Sequence, residues 1–227
     1  MSTLTLKGRA PSGVPDNQVE IYGNVAYLGK DFERLHSFRY QLVCALESRP
    51  QRVLVVGKGD GLVIDLLRRA EIDVVTLDID PTLEPDVLAS VESIPLRDDS
   101  FDVSICCEVL EHLPFSQLAI CLGELRRVTR THLVMSVPDI RRFLSLRLSI
   151  PKIRIDWQLS IPKFRVGKVS PERFAACPHY WEIGFEGSGY RTVKRVIERA
   201  GWRIIQSRRV SDLAWHCFFY CQKRCEA

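Results

Sequence analysis

Three features that would place a protein in a membrane, outside the cell or around a zinc ion are missing from this 227-residue sequence. No apolar run approaches the roughly 18 consecutive residues of a membrane span. Residues 1–17 lack the apolar core of a secretory signal peptide. The eight cysteines include no Cys-x-x-Cys pair, the spacing typical of structural zinc sites. We therefore expect a cytoplasmic protein with reduced cysteines and no metal site.

A strong overall charge is also missing, because the formal net charge is only +4. The positive charge is concentrated in residues 139–178, called the basic segment here, which carry nine Lys or Arg against three acidic residues. Such a segment on a nearly neutral body predicts an anionic partner or a solvated surface insertion. Within it, LSIPKIR at residues 148–154 recurs as LSIPKFR at residues 159–165. Because each proline excludes a helix or central strand, the repeat predicts extended edge segments.

What the sequence does contain is a short apolar run, Val53–Val56, followed by glycines at positions 57, 59 and 61. A second apolar run ends at Asp78, about twenty residues later. Glycines at a strand tip let the main chain approach a ligand, and a carboxylate at the neighbouring tip can accept hydrogen bonds from a ribose diol. The Gly-x-Gly-x-Gly spacing differs from the Gly-x-Gly-x-x-Gly of dinucleotide sites. It therefore favours S-adenosylmethionine (SAM) as the ligand.

Strand and helix patterns alternate along the chain, which predicts an α/β fold with a doubly wound, mostly parallel, seven-stranded, Rossmann-like sheet. The two final strands, joined by a short polar turn, predict a C-terminal antiparallel hairpin. We interpret residues 1–30 as a flexible lead-in, residues 31–227 as one domain, and residues 139–182 as an insertion or lid. The predicted strands are 53–56, 73–77, 86–89, 101–107, 132–137, 202–210 and 213–221, and the predicted helices are 31–47, 62–70, 114–128 and 190–200.

Four stretches occur in an order that resembles the class I SAM-dependent methyltransferases, most closely the type-11 group. They are VLVVGKGDG at 53–61, LDID at 77–80, ESIPL at 92–96 and SFDVSICCEVLEHL at 100–113, and the last is the most specific. The resemblance covers residues 53–138. It implies an enzyme that transfers a methyl group from SAM.

The resemblance also implies which residues contact SAM. The glycines would line the methionine and ribose portions, Asp78 would bind the ribose hydroxyls, and Ile79 would pack on the adenine ring. The main chain at Val91 and Glu92 would meet the adenine edge, and Glu108 would face the sulfonium end. The residues expected to contact SAM are Gly57, Gly59, Asp60, Gly61, Asp78, Ile79, Val91, Glu92 and Glu108.

Two positions depart from the family pattern. Val55 replaces an acid that helps to hold the methionine amino group, and Ser90 replaces an aspartate near the adenine amino group. These departures leave two alternatives open. One is aminopropyl transfer of the spermidine synthase type. The other is a non-enzymatic SAM-fold module that binds RNA or a membrane surface through the basic segment.

Candidate groups for the acceptor side come from two places. His179 and His112 are the candidate general bases, needed if the acceptor is a hydroxyl or ammonium group. Tyr180 and Trp181 are candidate substrate-binding residues, because aromatic groups beside a titratable side chain in a loop suit a substrate pocket. Two alternatives stay open: His112 as a structural histidine, and Trp181 as a side chain that packs the insertion onto the core. We expect the acceptor to be an anionic or amphipathic small molecule.

Overall fold

The computed structural model describes residues 34–150, 153–161, 167, 169–170, 178–210 and 213–224. The predicted lead-in at residues 1–30 and much of the C-terminal half of the basic segment lie outside these residues. The helices are α1 (Arg34–Glu47), α2 (Leu62–Arg69), α3 (Leu118–Val128) and α4 (Tyr190–Arg199), and the strands are β1 (Arg52–Val56), β2 (Asp73–Asp78), β3 (Val87–Leu88), β4 (Phe101–Cys107), β5 (Thr129–Pro138), β6 (Arg142–Ile150), β7 (Ile153–Ile161), β8 (Trp202–Val210) and β9 (Leu213–Lys223).

Seven strands form one sheet in the order β3-β2-β1-β4-β5-β9-β8. Strands β1 to β5 pair in parallel, whereas β9 runs antiparallel to both β5 and β8. The chain moves outward from β1 to β3 and then returns to the other side of β1 with β4. In such sheets the ligand crevice lies at this switch point, outside the carboxyl ends of the strands. The predicted fold class and the C-terminal hairpin are confirmed.

Strand β1 is apolar from Val53 to Val56 because helices cover both faces of the sheet. Leu54 and Val56 join the hydrophobic cluster on one face, and Val53 and Val55 join the cluster on the other. Neighbouring residues of a strand point to opposite faces, so a continuous apolar run is what a doubly covered strand requires. This packing fixes the tip of β1, where the glycine turn begins.

Strand β5 begins at Thr129, three residues earlier than the apolar pattern predicts. Thr129 is fully buried, and its hydroxyl pairs with the Ser104 hydroxyl at 2.5 Å. A polar residue enters the sheet here because a second polar residue satisfies it, which hydrophobic periodicity does not reveal. The strand predicted at 86–89 is only the two residues Val87–Leu88.

The basic segment forms extended strands, as predicted, but they do not extend the main sheet. Strands β6 and β7 pair with each other in a separate two-stranded sheet, which places Leu146 opposite Trp157 and Arg147 opposite Asp156. At the start of this hairpin, the buried Asp139 accepts hydrogen bonds from Arg141 Nε at 3.0 Å and Arg209 Nε at 2.8 Å. This buried charge cluster attaches the beginning of the hairpin to the domain.

None of the described helices is long and apolar enough to cross a membrane. The six described cysteines are free thiols. Burial raises the pKa of Cys106, Cys121 and Cys217, so these thiols pack as small apolar side chains.

Candidate active site

A cavity of about 490 Å³ opens at the carboxyl ends of β1, β2 and β4. This volume falls within the range of roughly 300–1,000 Å³ that is typical of small-molecule sites. The main chain of the glycine turn meets the tip of β2 here, because the Lys58 amide donates a 2.7 Å hydrogen bond to Asp78 Oδ2. The residues that line the cavity include Arg34, Phe38, Val55, Gly57, Lys58, Gly59, Asp60, Asp78, Ile79, Ser90, Val91, Glu108, Val109, His112, Pro178, Tyr180 and His216.

Gly57 and Gly59 have different roles in the turn. Gly57 has a φ of 82°, and a Cβ there would lie 2.5 Å from Val109 Cγ2. Gly59 has a φ of 53°, but a Cβ there would meet nothing within 4 Å. Gly57 is therefore required by packing and conformation, whereas Gly59 leaves open space on the cavity wall.

The Asp78 carboxylate is oriented by main-chain amides on both of its oxygens. Oδ2 accepts from Lys58, and Oδ1 accepts from the Asp80 amide at 3.0 Å. Since each carboxylate oxygen has about two acceptor sites, one on each oxygen is left for a ligand. The carboxylate is therefore a fixed acceptor pair on the cavity wall.

Asp60 places a second carboxylate in the same turn. Its Oδ1 accepts from the Leu62 amide at 3.0 Å, while its Oδ2 is buried and has no hydrogen-bond partner within the described part of the chain. Val55, where the sequence resemblance implies an acid, is apolar and also lines the cavity. Asp60 therefore brings to this cavity an acceptor that Val55 does not provide.

The rim beyond β2 is apolar and is held by a lysine. Ile79 is 71% exposed although it lines the cavity, so it offers apolar surface to a ligand. Lys58 Nζ donates to the carbonyl oxygens of Leu83 and Glu84, the latter at 2.8 Å. The Lys58 ammonium thus fixes the loop after β2.

The loop after β3 forms another side of the cavity. Val91 is buried and lines the cavity, and the Ser90 hydroxyl donates to Glu92 Oε2 at 3.1 Å. Gly61 and Glu92, both predicted to contact SAM, lie outside the cavity wall. Gly61 lies outside because it is the residue at which α2 begins. The Glu92 carboxylate instead accepts the hydrogen bond from Ser90.

An ion pair on α3 fixes this loop. Arg127 binds Glu124 and donates to the carbonyl oxygens of Ile94 and Leu96 at 2.7 and 2.8 Å. Glu124 Oε2 also accepts from the Ile94 amide at 2.8 Å. The hydrogen bonds with Arg127 lower the pKa of Glu124, so this carboxylate stays charged at neutral pH.

Glu108, at the tip of β4, has a φ of 55°, which is rare for a residue with a side chain. Its Oε1 accepts from the Ser136 hydroxyl at 2.7 Å, and its Oε2 lies 3.4 Å from His216 Nε2. Burial raises the pKa of Glu108 to about 8 and lowers that of His216 to about 3. The distance is that of an ion pair, but burial shifts both pKa values toward the neutral forms.

His112 and His179 lie side by side although they are far apart in the sequence. His112 Nδ1 contacts the carbonyl oxygen of Pro178, which is 66 residues away along the chain. The two rings meet edge to face with centroids 4.8 Å apart. His112 lines the cavity, and burial followed by the proximity of His179 lowers its pKa. His179 lies outside the cavity wall, with its Nδ1 3.0 Å from Glu182 Oε1.

Tyr180 and Trp181 separate into two roles. Tyr180 is half-exposed and lines the cavity. Trp181 is 2% exposed, and its Nε1 donates to the Leu110 and Leu113 carbonyl oxygens at 3.2 and 3.1 Å. The prediction that Trp181 binds substrate is therefore corrected: its indole packs the segment after the basic strands onto the core.

The sequence motifs did not predict several residues of the cavity wall, among them Arg34, Phe38 and His216. Arg34 and Phe38 come from α1, and His216 comes from β9. These elements reach the cavity because α1 packs on the sheet and β9 inserts beside β5. No short sequence pattern marks them. The antiparallel position of the last strand is the signal that could have placed His216 near Glu108.

Comparison with known proteins finds one matching family model and several solved structures with the same fold. Residues 54–135 match the type-11 family model described as a methyltransferase domain. No curated protein matches the chain.

Solved structures share the fold over nearly the whole chain. The 1,6-didemethyltoxoflavin-N1-methyltransferase of Burkholderia thailandensis, solved with bound 1,6-didemethyltoxoflavin and S-adenosylhomocysteine (SAH), is 14% identical with a TM-score of 0.58 over 96% of this chain and 94% of its own. The N-methyltransferase NodS of Bradyrhizobium japonicum with SAH is 11% identical, with a TM-score of 0.62 over 91% and 96%. Magnesium protoporphyrin IX methyltransferase of Synechocystis with SAH is 14% identical, with a TM-score of 0.60 over 92% and 93%.

Proposed function

We propose that this chain, a class I SAM-dependent methyltransferase, transfers the methyl group to a small molecule that carries an anionic group. The observation that carries the proposal is that the glycine turn and Asp78 line one end of a cavity whose other end holds Glu108, His112 and Tyr180. The order of the strands separates these ends, because Asp78 is the last residue of β2, Glu108 follows β4, and β1 lies between these two strands.

The first end fits SAM on three observations. Gly59 leaves main chain exposed without a Cβ, Asp78 keeps one acceptor site on each oxygen, and Asp60 Oδ2 is a buried acceptor without a partner in the described chain. Asp78 would bind the ribose hydroxyls, and Ile79 and Val91 would enclose the adenine. Asp60 would accept from the methionine ammonium, in place of the acid that Val55 replaces.

The second end would position the acceptor. When bound, SAM supplies a methyl group on a positively charged sulfur, so the protein mainly has to align the acceptor and exclude water. His112 lines this end, and the Pro178 carbonyl holds its Nδ1 at 3.2 Å. Since a carbonyl accepts only from N–H, Nε2 carries the lone pair and can take a proton from the acceptor. His179 would position His112 through their edge-to-face contact.

Charge supports an anionic acceptor. Arg34 lines the cavity, and the basic segment follows β5 directly. Burial keeps Glu108 largely protonated near pH 7, because its pKa is about 8. The acceptor end therefore does not repel an anion through Glu108. Neither alternative, aminopropyl transfer or a non-enzymatic RNA- or membrane-binding module, is favoured by an observation on the described chain.

The test combines cofactor binding with acceptor capture. Titration calorimetry with SAH should show one site in the wild type and an affinity about 100-fold lower in Asp78→Ala, since two charge-assisted hydrogen bonds are lost. Asp73→Ala, an exposed aspartate at the other end of β2, should bind like the wild type. Incubation with methyl-labelled SAM and fractionated cell extract should then label a small anionic molecule. Label in cations, RNA or protein instead would contradict the proposal.

A further inference from the structure

One cluster beside the cavity combines two imidazoles with an unpartnered buried acid. Single ligand atoms of Glu111, His112 and His179 all lie within 4.8 Å of one another. Glu111 is 1% exposed, and neither of its carboxyl oxygens has a hydrogen-bond partner among the residues that the structure describes. A buried carboxyl group in this situation costs free energy unless a positive charge or a donor binds it.

Both imidazole rings are oriented at Nδ1. His112 Nδ1 lies 3.2 Å from the Pro178 carbonyl oxygen, and His179 Nδ1 lies 3.0 Å from Glu182 Oε1. Each acceptor places the proton on Nδ1 and the lone pair on Nε2. Carbonyl and carboxylate groups hold metal-binding histidines in this same way, which fixes the tautomer and the ring orientation.

The two segments that carry the cluster are joined by further hydrogen bonds. The Tyr180 amide donates to the Glu111 carbonyl at 2.8 Å, and the Trp181 indole donates to the Leu110 and Leu113 carbonyls. Trp181 itself is buried, with Phe115 packed edge-on at 4.9 Å. The three side chains are therefore presented by a preformed scaffold rather than by mobile loops.

We propose that Glu111, His112 and His179 bind one divalent transition-metal ion, of the kind that Zn²⁺ represents. Two imidazoles and one carboxylate form a donor set that protein zinc sites use, with an open position for water or substrate. Zinc bonds of about 2.0–2.2 Å keep the ligands of one ion within roughly 4 Å of each other, so the side chains must close by about 1 Å. The expectation of no metal site considered only the cysteines, whereas these ligands come from two distant segments.

The position of the cluster gives the ion a role at the acceptor end. His112 and Tyr180 line the cavity, so an open coordination position there faces the acceptor. This role rests on the methyl transfer proposed above. The ion binds an acceptor hydroxyl and lowers its pKa. The hydroxyl proton passes to water, the oxygen lone pair forms the bond to the methyl carbon, and the carbon–sulfur bond breaks to leave SAH. A ligating imidazole cannot also take the proton, so the ion replaces His112 as the activating group.

The experiment measures Zn²⁺ binding without reference to turnover. The full chain is dialysed against a chelator and titrated with zinc chloride in a calorimeter. We expect one Zn²⁺ per wild-type chain, and affinity at least 100-fold lower in Glu111→Gln and in His179→Ala. Glu182→Gln, which removes the carboxylate that holds His179, should bind 10- to 100-fold more weakly. His132→Ala, a histidine on β5 outside the cluster, should bind like the wild type.

SAH affinity reports folding in the same samples, because Glu111, His179, Glu182 and His132 lie outside the cavity wall. Each variant should bind SAH within about threefold of the wild type. The metal proposal is overturned if the wild type takes up no Zn²⁺, or if His179→Ala binds it as tightly as the wild type, which would place the ion on cysteines. A protein that binds Zn²⁺ but not SAH would overturn the proposed function and leave the metal site standing.

Discussion

At the tips of β1 and β2 the cavity wall is main chain and fixed polar groups, whereas beyond the tip of β4 it includes the titratable side chains of Glu108, His112 and His216. At the first end, both oxygens of Asp78 accept from main-chain amides, and Lys58 binds two carbonyls. At the second end, burial shifts the pKa values of Glu108 and His216 toward neutral forms, and Glu111 has no partner in the described chain. The first end is suited to hold a ligand in one pose. The second end is suited to exchange protons with a ligand or to bind an ion.

The largest expected effect comes from a substitution in the glycine turn, at the first end of the cavity. Gly57→Ala should lower the free energy of unfolding by about 3 kcal/mol and abolish SAH binding, because a side chain meets both a left-handed φ and the Val109 methyl group. Chemical denaturation and calorimetry measure the two effects. Gly123→Ala, in open space on α3, is the matched control and should be neutral or slightly stabilising. Equal behaviour of the two variants would show that the turn is not constrained as described.

The second expected effect separates the two ends. His112→Gln should lower the rate of methyl transfer to the labelled acceptor about 100-fold, because it removes an imidazole that activates the acceptor, either as a base or as a ligand of the proposed ion. Its SAH affinity should stay within about threefold of the wild type, since His112 follows β4 and not β1 or β2. A parallel loss of SAH affinity would mean that the ends are not independent.

The third expected effect locates the methionine portion of the cofactor. Asp60→Asn should weaken SAH binding about tenfold, because the unpartnered Oδ2 loses its charge. Binding of 5′-methylthioadenosine, which lacks the amino-acid end, should be unchanged in the same calorimetric assay. If both ligands weaken equally, Asp60 acts on the turn and not on the ammonium.

The smallest expected effect concerns the loop that supports the adenine side. Glu124→Gln should lower the free energy of unfolding by about 1–2 kcal/mol at pH 7, because hydrogen bonds to a charged group are lost. The Glu124 pKa is lowered in the folded state, so this stability is present above the unfolded pKa near 4.5 and disappears as pH falls through the folded value.

Denaturation curves of Glu124→Gln and wild type should therefore converge as the pH falls through the lowered folded-state pKa of Glu124. Glu47→Gln, at an exposed position on α1, serves as the control and should show no such convergence. A pH-independent difference would assign the effect to packing rather than to the charge.

The two ends also differ in how far the sequence predicts them. Gly57, Gly59, Asp60, Asp78, Ile79 and Val91 were predicted from local motifs, because a strand tip and its turn are encoded within a few residues. His216 reaches Glu108 only because β9 inserts beside β5, and His112 meets His179 only because Trp181 packs the later segment onto the turn at Leu110–His112. These contacts depend on tertiary packing, which short-range patterns do not carry. Trp181 was assigned to the pocket for the same reason: sequence shows an aromatic residue but not the direction in which it packs.

Hydrogen–deuterium exchange with and without SAH tests the two-ended cavity most directly. The account predicts slower exchange of main-chain amides in the glycine turn at 57–61, in the loop at 79–84 and in the loop at 89–96. It predicts no change at 178–183, the segment of the acceptor end. Protection confined to 178–183, or no protection anywhere in a folded sample, would contradict the assignment of the first end to SAM.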